Sequence, residues 1–120
     1  SYPHLNTNAK EFLITAEVLY EMHCSNIIDF APIIVEYSKV VETQLRVLLG
    51  NQLPTYINML GKIIGFISDH NILPYYNYIT DLDNVNQKRR ESAHTGLLTK
   101  ADADYIKNIL YTNDLLNKLV

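Results

Sequence analysis

The chain has 120 residues, 48% hydrophobic and 19% charged, which is enough for one domain (1–120) with one core and too little for two. With only 4 Gly and 4 Pro, the composition is that of a folded globular chain and excludes a disordered or collagen-like one. A net charge of −3 excludes a broadly basic nucleic-acid binder and leaves room for a local basic patch. The single cysteine, Cys24, cannot form an intrachain disulfide, which points to a reducing, cytoplasmic setting. The longest uncharged run, residues 47–61, contains Asn51, Gln52, Pro54 and Asn58 and is too short and too polar to span a membrane. The start, Ser1-Tyr2-Pro3, has no signal-peptide pattern. Lacking Met, it is expected to be either a processed terminus or the edge of a piece cut from a longer protein.

The apolar period is helical almost throughout. Residues 10–22 read as a first helix, with Phe12, Leu13, Ala16, Leu19 and Tyr20 on one face. From Asp29 onward, Phe30, Ile33, Ile34, Tyr37, Val40, Val41, Leu45 and Leu48 recur at three- and four-residue steps. Asp29 can cap this second helix, Pro32 fits its first turn, and Gly50-Asn51 ends it. Its other face carries Glu36, Lys39, Glu42 and Arg46, with Glu42 and Arg46 in the favourable order for an i,i+4 pair. Residues 56–68 form a third helix through Ile57, Leu60, Ile63, Ile64 and Ile67. Gly61 and Gly65, one turn apart, let a neighbouring helix approach closely. A shorter piece spans residues 74–82. Asn84 then caps a helix through His94, stopped by Gly96. Thr99 and Asp102 form a capping box that opens a last helix bearing Tyr105, Ile106, Ile109, Leu110, Leu116 and Leu119. Five or six helices with short joints predict an all-α compact bundle.

Several chemistries are rejected. No phosphate-cradling glycine loop and no nucleophile elbow occurs. His4, His23, His70 and His94 are far apart in sequence and no Cys-x-x-Cys pair exists, so no metal site is expected. Asp81-x-Asp83 fails as a calcium loop because Val85 and Asn86 stand where a ligand and the turn glycine belong. Asp83-Asn84 reads instead as a helix cap. Asp102 and Asp104 favour the dipole of the last helix rather than forming a catalytic pair. Tyr75, Tyr76 and Tyr78 read as the edge of a helical core. Cys24 is assigned no chemistry.

One stretch concentrates function-like residues: Gln87-Lys88-Arg89-Arg90-Glu91-Ser92-Ala93-His94. A guanidinium fork fits phosphate oxygens, and an imidazole can give or take a proton near neutral pH. The bland alternative is a solvated basic turn with a histidine favoured at the helix end. Along a straight helix, residues five apart differ by about 140° in direction. Arg89 and His94 therefore diverge, whereas Arg90 and His94 share a face.

Three segments, in order, resemble the HEPN superfamily of small α-helical domains. Asp29-Phe30-Ala31-Pro32 leading into Glu36-Tyr37-Ser38-Lys39-Val40-Val41-Glu42 is similar to the long second helix of HEPN-like bacterial domains. Met59-Leu60-Gly61-Lys62-Ile63-Ile64 is similar to the Leu-Gly segment that follows. Arg89-Arg90-Glu91-Ser92-Ala93-His94, with Thr99 and Ala101-Asp102-Ala103, resembles the Arg-x4–6-His signature and the helix after it. Together they cover residues 13–119.

The resemblance implies a metal-independent endoribonuclease of a defence or toxin-type system, without cofactor. In that family two domains meet as a homodimer, and the RNA 2′-hydroxyl attacks the adjacent phosphate. His94 then serves as general base or acid and Arg89 holds the phosphate, with Lys88 and Arg90 as RNA-binding neighbours. Two positions depart from the pattern. Arg90 stands where active members carry Asn, Asp or His, and Gly96 stands where one toxin branch carries a modified Tyr. The alternative is a non-catalytic interaction or dimerisation module of a larger bacterial protein, docking a partner protein or the parent chain. A DNA-binding accessory domain is disfavoured by the acidic balance.

Overall fold

The computed structural model describes residues 2–23, 29–94 and 97–120. Cys24 and the expected helix stop at Gly96 lie outside the described residues. Among those described there is no strand; six α-helices form a bundle. They are α1 (Thr7–His23), α2 (Ala31–Leu49), α3 (Leu60–His70), α4 (Ile79–His94), α5 (Lys100–Lys107) and α6 (Leu115–Lys118). The radius of gyration is 13.9 Å, as expected for a compact chain of this length. No described helix is long and apolar enough to cross a membrane.

Helix α2 is the axis of the bundle. Its apolar repeat buries Ile33, Ile34, Tyr37, Val40, Val41, Leu45 and Leu49, and α1, α3, α4 and α5 all pack against it. Phe30, not Asp29, is the N-cap residue; from one position earlier the Asp29 carboxylate accepts the Ala31 N–H at 3.0 Å and also the Leu98 N–H at 3.0 Å. The Phe30 N–H returns a bond to the Leu98 carbonyl at 2.9 Å. These contacts fasten the segment before α5 to the start of α2. At the other end Gly50, with φ +51°, turns the chain through a conformation that side chains resist.

The first helix begins at Thr7, a turn before the expected residue 10, and three other boundaries differ for reasons the packing supplies. The third helix begins at Leu60, not at residue 56, because the Ile57 carbonyl takes a bond from the Arg46 guanidinium at 2.9 Å and Met59 is extended. Asp83 and Asn84 lie inside α4 and cap nothing: a 3-10 turn at Tyr75–Tyr78 runs straight into Ile79, and buried Leu82 and Val85 carry one helical face through the Asp-Asn pair. The last helix is broken. It widens into a π turn at Asn108–Thr112, and Asp114 adopts φ +65°, a backbone state that Asn and Asp tolerate better than most residues. The break lets Leu115, Leu116 and Leu119 return to the core. Thr99 and Asp102 do form the capping box, with the Thr99 N–H donating to Asp102 Oδ2 at 2.8 Å.

Polar groups in the core are paired. Glu17 Oε1 accepts from the Tyr37 hydroxyl at 2.6 Å and the Tyr111 hydroxyl at 2.5 Å, joining α1, α2 and the π turn. Burial, reinforced by the bond to Glu17, holds both phenols well above their ordinary value of 10.0. A raised folded-state value means that the stabilisation is complete below pH about 10 and is lost as pH rises above it, where only the unfolded chain ionises freely. Alkaline titration followed by phenolate absorbance and circular dichroism is therefore expected to show two phenols ionising together with unfolding. Glu17→Ala should lower the unfolding free energy by about 1–3 kcal/mol in urea.

Candidate functional site

The site grows out of the division of labour along α4. Its buried residues, Leu82 and Val85, lie in the first half; from Asn86 to His94 no described side chain is buried. Lys88 and Arg89 follow Val85 by three and four residues, so they flank the buried stripe on opposite sides. Arg89 points toward the start of α3 and Lys88 toward α5.

On the α3 side, Arg89, Arg90, Ala93 and His94 line an open cleft of about 600 Å³ with Met59, Gly61, Lys62 and Asn86. None of these lining residues is acidic. Among the described residues no carboxylate pairs with Lys62, Arg89, Arg90 or His94. Two arginines, a lysine and an imidazole thus share one concave surface, a setting suited to a multivalent oxyanion. Arg90 and His94 also line a smaller adjoining groove with Gln87 and Glu91, as their shared helix face requires. Arg89 lines only the main cleft, which His94 also reaches although the two residues diverge along the helix.

Two residues that sequence reasoning did not single out support the cleft. Lys62 enters from α3, beside the buried Leu60 and Ile63. Asn86 accepts a bond from Arg89 Nε at 3.2 Å, which orients the guanidinium. The close approach of Asn86 depends on Gly61, since a Cβ there would lie 3.1 Å from Asn86 Nδ2. Of the two glycines expected to admit a neighbour, Gly61 does so. Gly65 does not: a Cβ there would meet nothing within 4 Å. A glycine in an otherwise apolar helix was the available signal for this approach, although it does not name the residue that comes close.

Lys88 lies apart from the cleft. Its ammonium pairs with Asp102 at 2.8 Å and Glu91 at 3.4 Å, and lies 4.9 Å from the centre of the Tyr105 ring. With its side chain only 19% exposed, Lys88 is a tie between α4 and α5. Four further polar and aromatic side chains hold structural positions. Tyr75 is buried and donates to the Val120 carbonyl at 3.0 Å. Tyr78 lies beneath the Lys118 ammonium. Arg46 pairs with Glu42 at 3.5 Å. His4 Nε2 donates to the Leu116 carbonyl at 2.6 Å. Among the described residues no group of three or more His, Cys, Asp or Glu side chains is placed to hold a metal ion.

The hydrogen bond from Lys88, aided by the Thr99 backbone, holds the Asp102 carboxyl below its ordinary range. That stabilisation is present above the unfolded value near 3.8 and is lost as pH falls through the lowered folded value. Lys88→Gln is expected to cost about 1 kcal/mol in urea unfolding at neutral pH and to leave inorganic pyrophosphate binding unchanged in calorimetric titration. Arg90→Ala should do the reverse. In comparisons of the chain with protein-family models, curated proteins and solved structures, nothing matches.

Proposed function

We propose that the α3–α4 cleft binds the phosphate backbone of RNA and that the chain is a HEPN-like, metal-independent endoribonuclease. The observation that carries this reading is the convergence of Lys62, Arg89, Arg90 and His94 on one cleft with no lining carboxylate. The two arginines give planar forks for phosphate oxygens, and Lys62 adds a third charge from the opposite wall. Arg90, where active family members carry Asn, Asp or His, keeps the cleft uniformly cationic.

In the reaction His94 takes the proton of the RNA 2′-hydroxyl. The 2′-oxygen then bonds to phosphorus, and the charge that grows on the non-bridging oxygens is held by Arg89 and Arg90. The bond from phosphorus to the 5′-oxygen breaks, and the proton held by His94 passes through water at the open mouth of the cleft to the leaving 5′-oxygen, which restores the neutral imidazole. The products are a 2′,3′-cyclic phosphate and a 5′-hydroxyl. Single-stranded RNA incubated with the protein in EDTA is expected to yield these ends, with a loss of about 100-fold or more in rate for His94→Ala. Intact RNA at high protein concentration would end the catalytic reading.

A second reading, an interaction module, is favoured by a different surface. Ile14, Val18 and Met22 recur at four-residue steps along α1 and are 62%, 49% and 65% exposed. Such a stripe fits the same stripe on a second copy, which would make the homodimer. Light scattering at micromolar concentration should then give twice the chain mass, and Val18→Lys should return the monomer. A monomeric wild type would remove this contact.

A further inference from the structure

A second groove, of about 400 Å³, opens on the other side of Lys62, along α3. Tyr56, Gly65, Phe66, Asp69 and His70 line it, and Lys62 belongs to both this groove and the cationic cleft. The two concavities therefore adjoin at one ammonium group and differ in chemistry. One is cationic. The other is aromatic.

Lys62, Phe66 and His70 succeed one another at four-residue steps, so they follow one face of α3 at roughly 6 Å per step. The Phe66 and His70 rings lie 4.3 Å apart at their centres with 34° between their planes. His70 Nδ1 donates to the Phe66 carbonyl at 3.0 Å, which fixes the imidazole against the phenyl ring. Tyr56, 78% exposed in the loop before α3, is an aromatic that the core does not use. The floor is open at Gly65, where a Cβ would meet no atom within 4 Å. Asp69, also in the lining, disfavours phosphate here and so separates the two grooves by charge.

We propose that this groove is a nucleobase-stacking subsite. A single RNA strand would lie along α3, with phosphates on Lys62, Arg89 and Arg90 and a base over the Phe66–His70 pair beside Tyr56. The inference rests on reading the cleft as an RNA-phosphate site. Paired cations and aromatic faces are the means by which single strands are held without sequence readout.

The test uses a short 2′-O-methyl oligouridylate, which cannot be cleaved through its 2′-oxygen, and an abasic strand of equal length. Wild type is expected to bind the base-bearing strand about tenfold more tightly. Tyr56→Ala should reduce that preference and leave abasic affinity unchanged. Gly65→Leu, which fills the groove at an open position and replaces glycine by a better helix former, should abolish it, with a thermal melt confirming the fold. Equal wild-type affinity for both strands, lost in Arg89→Ala, would overturn the base subsite and keep the phosphate cleft. A base preference that survives both groove variants would also overturn it. Binding of neither strand would overturn the subsite and the RNA reading together.

Discussion

Helix α2 is enclosed along most of its length, and the polar groups it carries inward must be satisfied there. An unpaired buried donor or acceptor costs about 1–3 kcal/mol, a large share of the roughly 5–15 kcal/mol that holds a domain together. The helix meets this constraint within itself at Ser38, whose hydroxyl donates to the Val35 carbonyl at 2.8 Å, and against its neighbours at four heights. Asp29 and Phe30 bond to Leu98 at its start. Tyr37 meets Glu17 in the middle. The buried Gln44 accepts from the Asn6 N–H at 2.8 Å and donates to the Leu119 carbonyl at 3.0 Å. Arg46 holds the Ile57 carbonyl before α3. Among the described residues no buried side-chain nitrogen or oxygen is left without a partner. The apolar stripe supplies most of the driving force, and these bonds set the register in which the surrounding segments dock.

Because α2 and its neighbours supply the core, the second half of α4 is released from packing. Leu82 and Val85 secure the helix at one end; beyond them the chain can place cations side by side at a concave surface. Like charges there repel one another, and the intrinsic gain from helix formation is small. Lys88 offsets part of that cost by tying α4 to the capped start of α5 through Asp102. A cation tied to a neighbouring helix and a cation lining the cleft thus occupy successive residues of α4, separated by the 100° turn between positions 88 and 89.

How much of this was legible in the sequence depends on how local each cause is. The α2 stripe and the Thr99 capping box are short-range patterns, and both are found, with Leu49 buried at the end of the stripe and Leu48 only partly so. Asn84 and Asp114 mislead in opposite ways. The first has capping chemistry overridden by the buried face of Leu82 and Val85; the second lies in an apolar run that continues only after a left-handed residue. For the site, Arg89, Arg90 and His94 were readable because they are close in sequence. Lys62 and Asn86 were not, because their role depends on how α3 crosses α4. Lys88 has the same chemistry as its neighbours, and only its direction on the helix removes it from the cleft.

Gln44 has one more consequence. Its single carboxamide bonds to Asn6, just ahead of α1, and to Leu119, just after α6, so the segment before the first helix and the segment after the last lie side by side. A bundle whose residues 6 and 119 are neighbours can sit between two nearby points of a longer polypeptide. It can also be rejoined end to end through a short linker and opened elsewhere. The order of the helices along the chain is thus separable from their arrangement around α2.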